Sequence, residues 1–550
     1  MFHSLSLPFL VAPTGVVLAG ILVYYLFILP RVNPLRRLGG PPVKSLFANH
    51  LYAVLDPAHS PLVYENFVKK YGRSIRIRGV GPWDDRLLTL DPLSLSHVLK
   101  NTQVYEKPWQ SRKLITSLIG EGMLSAEGQT HKRQRRVATP AFSIQNMRAL
   151  VPLVFRKGEE LKDKWAAMLD RDAEKQREAI VDVCHWVSRA TFDVIGLAGF
   201  DYNFNAIQDE TNELFVAYKE MFEVAISQSN MFRTLMTVYI PYLNKLFPDK
   251  IARTVERCQS VIRRVAGHLI QEKKRKIADG IKSGYAYEGK DLLTLLLKSN
   301  DAVDLPPEHR ISDEDILNNI NTFMFAGSDT SSLTVTWLLY LLATHPDTQS
   351  RLRDELLPLA SSSELEFSEE EIQSIYEQIA ELPYLHNVVR EALRLIPPVH
   401  SSIRVATRDD LVPTMYPVGE DKRHQVLLSK GSFVHVSVEA FNLDKEVWGE
   451  DAWVFNPDRW EKLPNKVLEQ PGLFSNILTF SAGPRSCIGM RFSMIEIKAF
   501  VFILLTNFAF KPTDDHIIKA NVVLTRPYIK GRFSQGSQLP LIIERYDMPM

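Results

Sequence analysis

The stretch FSAGPRSCIG, residues 480–489, decides the reading of this chain. It sets Cys487 between a turn containing Gly and Pro and the run MRFSMIEIKAFVFILL, which reads as a helix. A sulfur at that point faces unpaired N–H groups and the positive end of a helix dipole, an environment that favours a thiolate. The bland alternative is a structural cysteine buried beside a turn, and for a lone cysteine the local pattern leaves both open. The other two of the three cysteines are Cys184 and Cys258. So sparse and odd a set argues against a disulfide framework and for a reducing compartment.

Working outward, Ser312 followed three residues later by Asp315 predicts the capped start of the longest helix, whose apolar stripe runs to Thr344. His345 before Pro346 should end it, giving a helix of about 32 residues and roughly 48 Å. Its middle carries AGSDTSS, residues 326–332, where small residues let another group come close and loosen the local hydrogen bonding. Taken alone, that run reads equally as a notch for helix packing. EALR, residues 391–394, places Glu391 and Arg394 on one helical face. HKRQRR, residues 131–136, reads by default as a solvated basic face.

Together these motifs resemble the cytochrome P-450 family. Residues 480–489 match its haem loop, Phe-x-x-Gly-x-Arg-x-Cys-x-Gly, at every fixed position. The resemblance implies haem b (iron protoporphyrin IX) with Cys487 as the axial thiolate on iron, a ligand that favours O–O cleavage. It also implies that Arg485 pairs with a haem propionate and that Phe480 shields the sulfur. Gly483 and Gly489 then let the backbone pass close to the flat macrocycle. The 326–332 run matches the segment the family places over the distal face of the haem, which gives Thr330 and Asp329 the delivery of protons. Glu391, Arg394 and Arg459 of FNPDRW match a buried charge cluster that is scaffold rather than catalyst. In the basic run, Arg135 matches a propionate-binding arginine. His131 stands where the family usually has tryptophan, so its N–H would replace an indole N–H. Arg404, ten residues after Arg394, matches another propionate contact. Phe323, Phe325 and Ala326, with Ile403, Thr525 and the 220–235 stretch, are expected to line the substrate pocket. GMLSAEG (122–128) and TFDVIGLAGF (191–200) extend the likeness, which is closest in style to fungal microsomal members. Lys132, Arg133, Arg136, Arg491 and Lys498 are the candidate basic patch for an acidic reductase.

The expected fold is mainly α with minor β: a cytochrome P-450 domain with a long central helix and small sheets, preceded by one transmembrane helix. Residues 1–34 are the expected anchor with its basic flank, and residues 35–550 the catalytic domain. No charged residue occurs from Ser4 to Pro30, while Arg31, Arg36 and Arg37 follow at once. That asymmetry predicts a single-pass anchor in the endoplasmic reticulum membrane with the catalytic domain facing the cytosol. The pattern along the rest of the chain predicts a hairpin and helix over about 75–100, helix over about 144–200 and 207–283, and short strands over about 399–440. Residues 280–290 read as an exposed loop. With 65 Lys+Arg against 64 Asp+Glu, no global field favours nucleic acid.

The implied function is monooxygenation of a lipophilic small molecule, with a terpenoid or similar secondary metabolite as the expected class. NADPH supplies the electrons through NADPH–cytochrome P-450 reductase, with cytochrome b5 as a further candidate donor. The rivals are a haem-thiolate isomerase or peroxygenase that needs no reductase, and a non-catalytic membrane carrier of haem or sterol. Stoichiometric NADPH consumption with added reductase separates both from the favoured reading.

Overall fold

Ser312 starts the central helix, Asp313–Thr344, by a reciprocal cap. Its hydroxyl accepts from the Asp315 N–H at 3.0 Å, and the Asp315 carboxylate accepts from the Ser312 N–H at 3.1 Å. His345 lies outside helical geometry, as a residue before proline should. The computed structural model describes residues 16–17, 19–45, 48–56, 58–171, 178–224, 248–282, 289, 291–300, 306, 310–360, 368–472, 474–520 and 523–546. Within them the Lys250–Lys282 helix has 33 residues against 32, so the central helix is not the longest.

The chain divides into two compact units, each built from separated segments. The first comprises Met1–Pro108, Ser401–Asp444 and Lys466–Arg485. Its five-stranded sheet runs in the order Ser74–Arg78, Asp85–Thr89, Phe433–Ser437, Ser401–Ala406, Tyr105–Glu106. The pairing of Asp85–Thr89 with Phe433–Ser437 is parallel and the others antiparallel. Ile75, Ile77, Leu88, Val98 and Val434 fill the core of this unit. The expected hairpin and helix are present, and Asp91 caps the Pro92–Lys100 helix by accepting from Ser94 N–H at 3.0 Å.

The second unit comprises Trp109–His400, Lys445–Asn465 and Ser486–Met550, and it is mostly helical. The Val183–Phe200 helix is buried nearly all round and packs along the central helix. Gly327 makes that close approach possible: a Cβ there would meet the Ile195 side chain at 2.8 Å. The expected helix over 144–200 is interrupted, because Glu178–Asp182 is a strand that turns Ala179 and Val181 inward. It pairs antiparallel with Pro540–Arg545, which also pairs with Phe508–Pro512. A five-residue alternation is too short to register against long amphipathic flanks. The predicted 207–283 helix is seen as Glu213–Phe222 and Lys250–Lys282. Most of the 220–235 stretch and of the 280–290 loop lies outside the described residues.

Near the N-terminus, Tyr24–Ile28 is π-helical and Leu29–Val32 continues as α-helix. Val16, Val17, Ile21, Leu22, Tyr24, Tyr25 and Phe27 are all exposed. Among the described residues, no helix is long and apolar enough to cross a membrane.

Candidate functional site

Cys487 lies three residues before the Met490–Asn507 helix, whose N-cap is Gly489. Its side chain is accessible, whereas Cys184 and Cys258 are buried, and all three are free thiols. Protein still surrounds the sulfur closely enough that burial pushes its pKa up, against the opposing pull of the Gly489 N–H and of Arg135. In the protein alone, desolvation outweighs the backbone N–H groups and the helix end that favour a thiolate. A metal cation bound at the sulfur would displace the proton.

Gly489 has φ −88°, which any residue adopts, and a Cβ there would meet nothing closer than the Phe142 ring at 3.8 Å. The surrounding protein sets no demand for glycine at this point, whereas a flat group packed against the loop would. Gly483 differs. Its φ is +71°, and a Cβ would meet the Leu99 carbonyl oxygen at 2.6 Å, so the turn needs glycine on its own account. An accessible sulfur, a glycine left open beside it and a half-buried arginine fit a haem ligated by Cys487.

Arg135 donates to the Ser486 carbonyl at 2.9 Å, and burial lowers its pKa against the opposing pull of Cys487. His131, on the same Gly128–Ala138 helix, is 6% exposed. In the first unit, Phe480 is buried against Phe474, and Arg485 closes a short 3-10 turn with Gly483. Arg404 is buried on the Ser401–Ala406 strand, where it donates to Ser402 Oγ at 2.5 Å and Ile403 O at 2.9 Å. Ile403 is partly buried on that strand.

On the central helix, the Thr330 hydroxyl donates to Ala326 O at 2.7 Å, a turn back. The helix runs unbroken through this segment, so the loosened hydrogen bonding expected there is absent. Asp329 is ion-paired with Arg526, on the Arg526–Ile529 strand. A cavity of about 50 Å³ opens beside this pair, lined by Phe222, Phe325, Ser328 and Tyr528 among others. It is large enough for a few waters. Phe325 stacks on Phe222 at 4.0 Å between ring centres, and Phe323 meets Phe142 edge-on at 5.6 Å. Thr525, an expected pocket residue, is held in the core. It is wholly buried, its hydroxyl donates to Pro397 O at 2.8 Å, and its carbonyl accepts from the Trp337 indole at 2.8 Å.

The charge cluster is present and larger than predicted. Glu391 and Arg394 have no exposed side-chain surface and share two hydrogen bonds, of 2.9 and 2.8 Å. Glu391 also accepts from Arg459 at 2.9 Å, Trp460 at 3.0 Å and the Asn456 N–H at 3.2 Å. Arg459 reaches on to Asp451 at 2.9 Å. The basic patch is smaller than predicted. Lys498 is 4% exposed, donates to Ala380 O at 2.6 Å, and is lowered by burial to about 8. Arg133 is half-buried, 3.8 Å from Asp315, which leaves Lys132, Arg136 and Arg491 exposed.

The family model for cytochrome P450 matches residues 38–530. Cytochrome P450 monooxygenase 128 of Postia placenta is 36% identical over 538 residues, covering 95% of this chain and 94% of the relative. Cytochrome P450 monooxygenase 205 of the same fungus is 37% identical, with 94% and 93% covered. Ganoderic acid synthetase CYP5150L8 of Ganoderma lucidum is 33% identical, with 88% and 89% covered. A cysteine loop built to receive haem, a helical scaffold locked by a buried Glu–Arg cluster and matches along nearly the whole length place this chain in the cytochrome P450 family, among its fungal monooxygenases.

Proposed function

We propose that this monooxygenase hydroxylates or epoxidises a lipophilic secondary metabolite of the terpenoid class, with electrons from NADPH passed through a membrane-bound reductase. The observation that carries the reading is the accessible Cys487 sulfur at the start of the Met490–Asn507 helix. When bound, haem supplies the oxidant. Cys487 would hold the group through its sulfur, and Arg135 with His131 would offer N–H donors for a propionate. Phe323, Phe325 and Ala326 give the central helix an apolar side, which suits a substrate of low polarity. The relative named ganoderic acid synthetase supports the substrate class.

Asp329 and Thr330 handle protons in this proposal. Thr330 gives up its bond to Ala326 O to hold a water, and Asp329 exchanges protons with solvent through the cavity beside Arg526. Thr330→Ala deletes a hydroxyl and a methyl group from an exchangeable contact, so fold and haem content should survive. With substrate, NADPH oxidation should continue while product per NADPH falls severalfold and peroxide per NADPH rises. Unchanged coupling would take proton delivery away from Thr330. A chain that makes product without consuming NADPH would instead favour the reductase-independent isomerase or peroxygenase.

The N-terminal segment is proposed as a single-pass anchor of the endoplasmic reticulum membrane, leaving the catalytic domain in the cytosol. Its uncharged run, the arginines that follow and the exposed apolar side chains from Val16 onward support this. Deleting residues 1–30 should shift much of the protein from the microsomal pellet to the supernatant. Protease added to intact microsomes should digest the bulk of the chain; protection would mean the opposite orientation. The exposed cations Lys132, Arg136 and Arg491 are the proposed docking points for the reductase.

A further inference from the structure

Away from the residues assigned to haem and substrate, the first unit holds a cavity of about 430 Å³, within the size range of small-ligand pockets. Three separated pieces of chain form most of its wall. They are residues 36–39 at and after the 3-10 turn Pro34–Arg37, residues 70–74 at the end of the Ser60–Tyr71 helix, and residues 416–420 of a hairpin. That hairpin joins the Asp410–Val418 strand to Arg423–Leu428. Gly419 lets it come against the turn: its φ is +67°, and a Cβ there would sit 3.1 Å from the Arg37 carbonyl oxygen.

The charges around this cavity differ in what already holds them. Arg73 is paired with Asp444, both side chains nearly buried, and it lies over the Tyr416 ring at 5.0 Å. Asp91 is wholly buried, and its carboxylate accepts from the N–H groups of Ser94, Met415 and Tyr416 at 2.8 to 3.0 Å. Arg36, Arg37 and Lys70 are exposed, and none of the three has a carboxylate partner among the described residues. Lys70 lies 5.4 Å from the centre of the Tyr71 ring. Against these three cations the rim carries one exposed acid, Glu420. Like charges gathered around one concave surface repel until an anion enters. The planar forks of two arginines match the oxygens of a phosphate, and a lysine adds a point charge.

We propose that this cavity binds the phosphate headgroup of an anionic glycerophospholipid, with Arg36 and Arg37 on the phosphate oxygens and Lys70 facing them from the second wall. The proposal rests on the reading of residues 1–30 as an anchor. That reading puts Arg36 and Arg37, which follow the uncharged run ending at Pro30, where the chain leaves the cytosolic leaflet, and the anionic lipids of that leaflet supply the ligand. Such a site differs from the diffuse attraction of any basic flank to a membrane. It takes a single lipid, and it needs Lys70, which belongs to a different element from the two arginines. The bound headgroup then ties the exit of the anchor to the hairpin at Gly419.

The test uses the haem-loaded full chain in a nonionic detergent, titrated with dihexanoyl phosphatidylserine, so that no bilayer is needed. Native mass spectrometry should find one lipid per chain, and calorimetric titration should give an affinity several times that for dihexanoyl phosphatidylcholine. Arg37→Ala and Lys70→Ala should each weaken binding severalfold while keeping a normal CO spectrum. Lys44→Ala removes an exposed cation near the same flank but outside the cavity, and it should leave binding unchanged. Equal losses in all three variants, or several lipids held with equal affinity, would reduce the interaction to diffuse charge and overturn the site. Inorganic phosphate that competes as well as the lipid binds would make this a site for free phosphate and overturn the lipid assignment. Absence of any binding would count against the cavity itself. Failure of the anchor reading shows elsewhere, as an unchanged microsomal pellet after deletion of residues 1–30.

Discussion

Cys487→Ser should abolish the red-shifted Soret band of the reduced, CO-bound protein and all monooxygenase turnover with it. A hydroxyl is a far poorer donor than a thiolate, and in these surroundings it has no route to ionisation. Burial already pushes the thiol above its ordinary value, with only the Gly489 N–H and Arg135 in opposition. A serine, whose proton is held much more tightly than a thiol's, stays neutral there. Cys184→Ser and Cys258→Ser should leave the band intact, since both sulfurs are buried in the protein. A normal band in Cys487→Ser would remove the central assignment.

The second large effect concerns the Glu391 cluster. Glu391→Ala should leave almost no folded holoprotein, because it removes at once the carboxylate that accepts from two guanidinium groups, an indole N–H and a backbone N–H, and leaves the buried Arg394 charge without a counter-ion. Removing one partner from a buried ion pair costs about 3–5 kcal/mol, a large share of the roughly 5–15 kcal/mol that holds a typical domain folded. Arg394→Ala should come close, since Arg394 is fully buried and also donates to the Ala452 carbonyl at 2.7 Å. Arg459→Ala should be milder. Glu391 then keeps both bonds from Arg394 and the one from Trp460, and Asp451, the other partner of Arg459, is half-exposed. Expression level and haem content per protein, measured side by side, check that order. Wild-type yield of Glu391→Ala would mean that the cluster is dispensable.

What could be read from the sequence was local. The ends of the central helix follow from Ser312, Asp315 and Pro346, all within a few residues of the boundaries they set. The Glu391–Arg394 pair lies one turn apart on its helix, and the cysteine loop is contiguous. Features that depend on distant packing were not legible. Arg526, the partner of Asp329, comes 197 positions later on a short strand, with no signal at either end. Lys498 read as a surface cation because a charge on a helix usually faces water. The Met490–Asn507 helix is buried nearly all round, however, and its lysine finds a carbonyl instead. The AGSDTSS run shows how one stretch serves two ends. Gly327 is the packing notch for Ile195, while Asp329 and Thr330 two and three positions on face different partners.

The Asp329–Arg526 pair has a consequence for how relatives of this chain diverge. Arg526 sits on a strand that borders a cavity, so its side chain faces both Asp329 and whatever occupies that space. Any change at position 526 that suits a ligand also alters the counter-ion of Asp329. Where Asp329 serves proton delivery as proposed, such a change would couple substrate preference to the leak of reducing power into peroxide. On the same proposal, a substitution at position 526 alone would make the enzyme wasteful, and a second change near Asp329 would be needed to make it thrifty again.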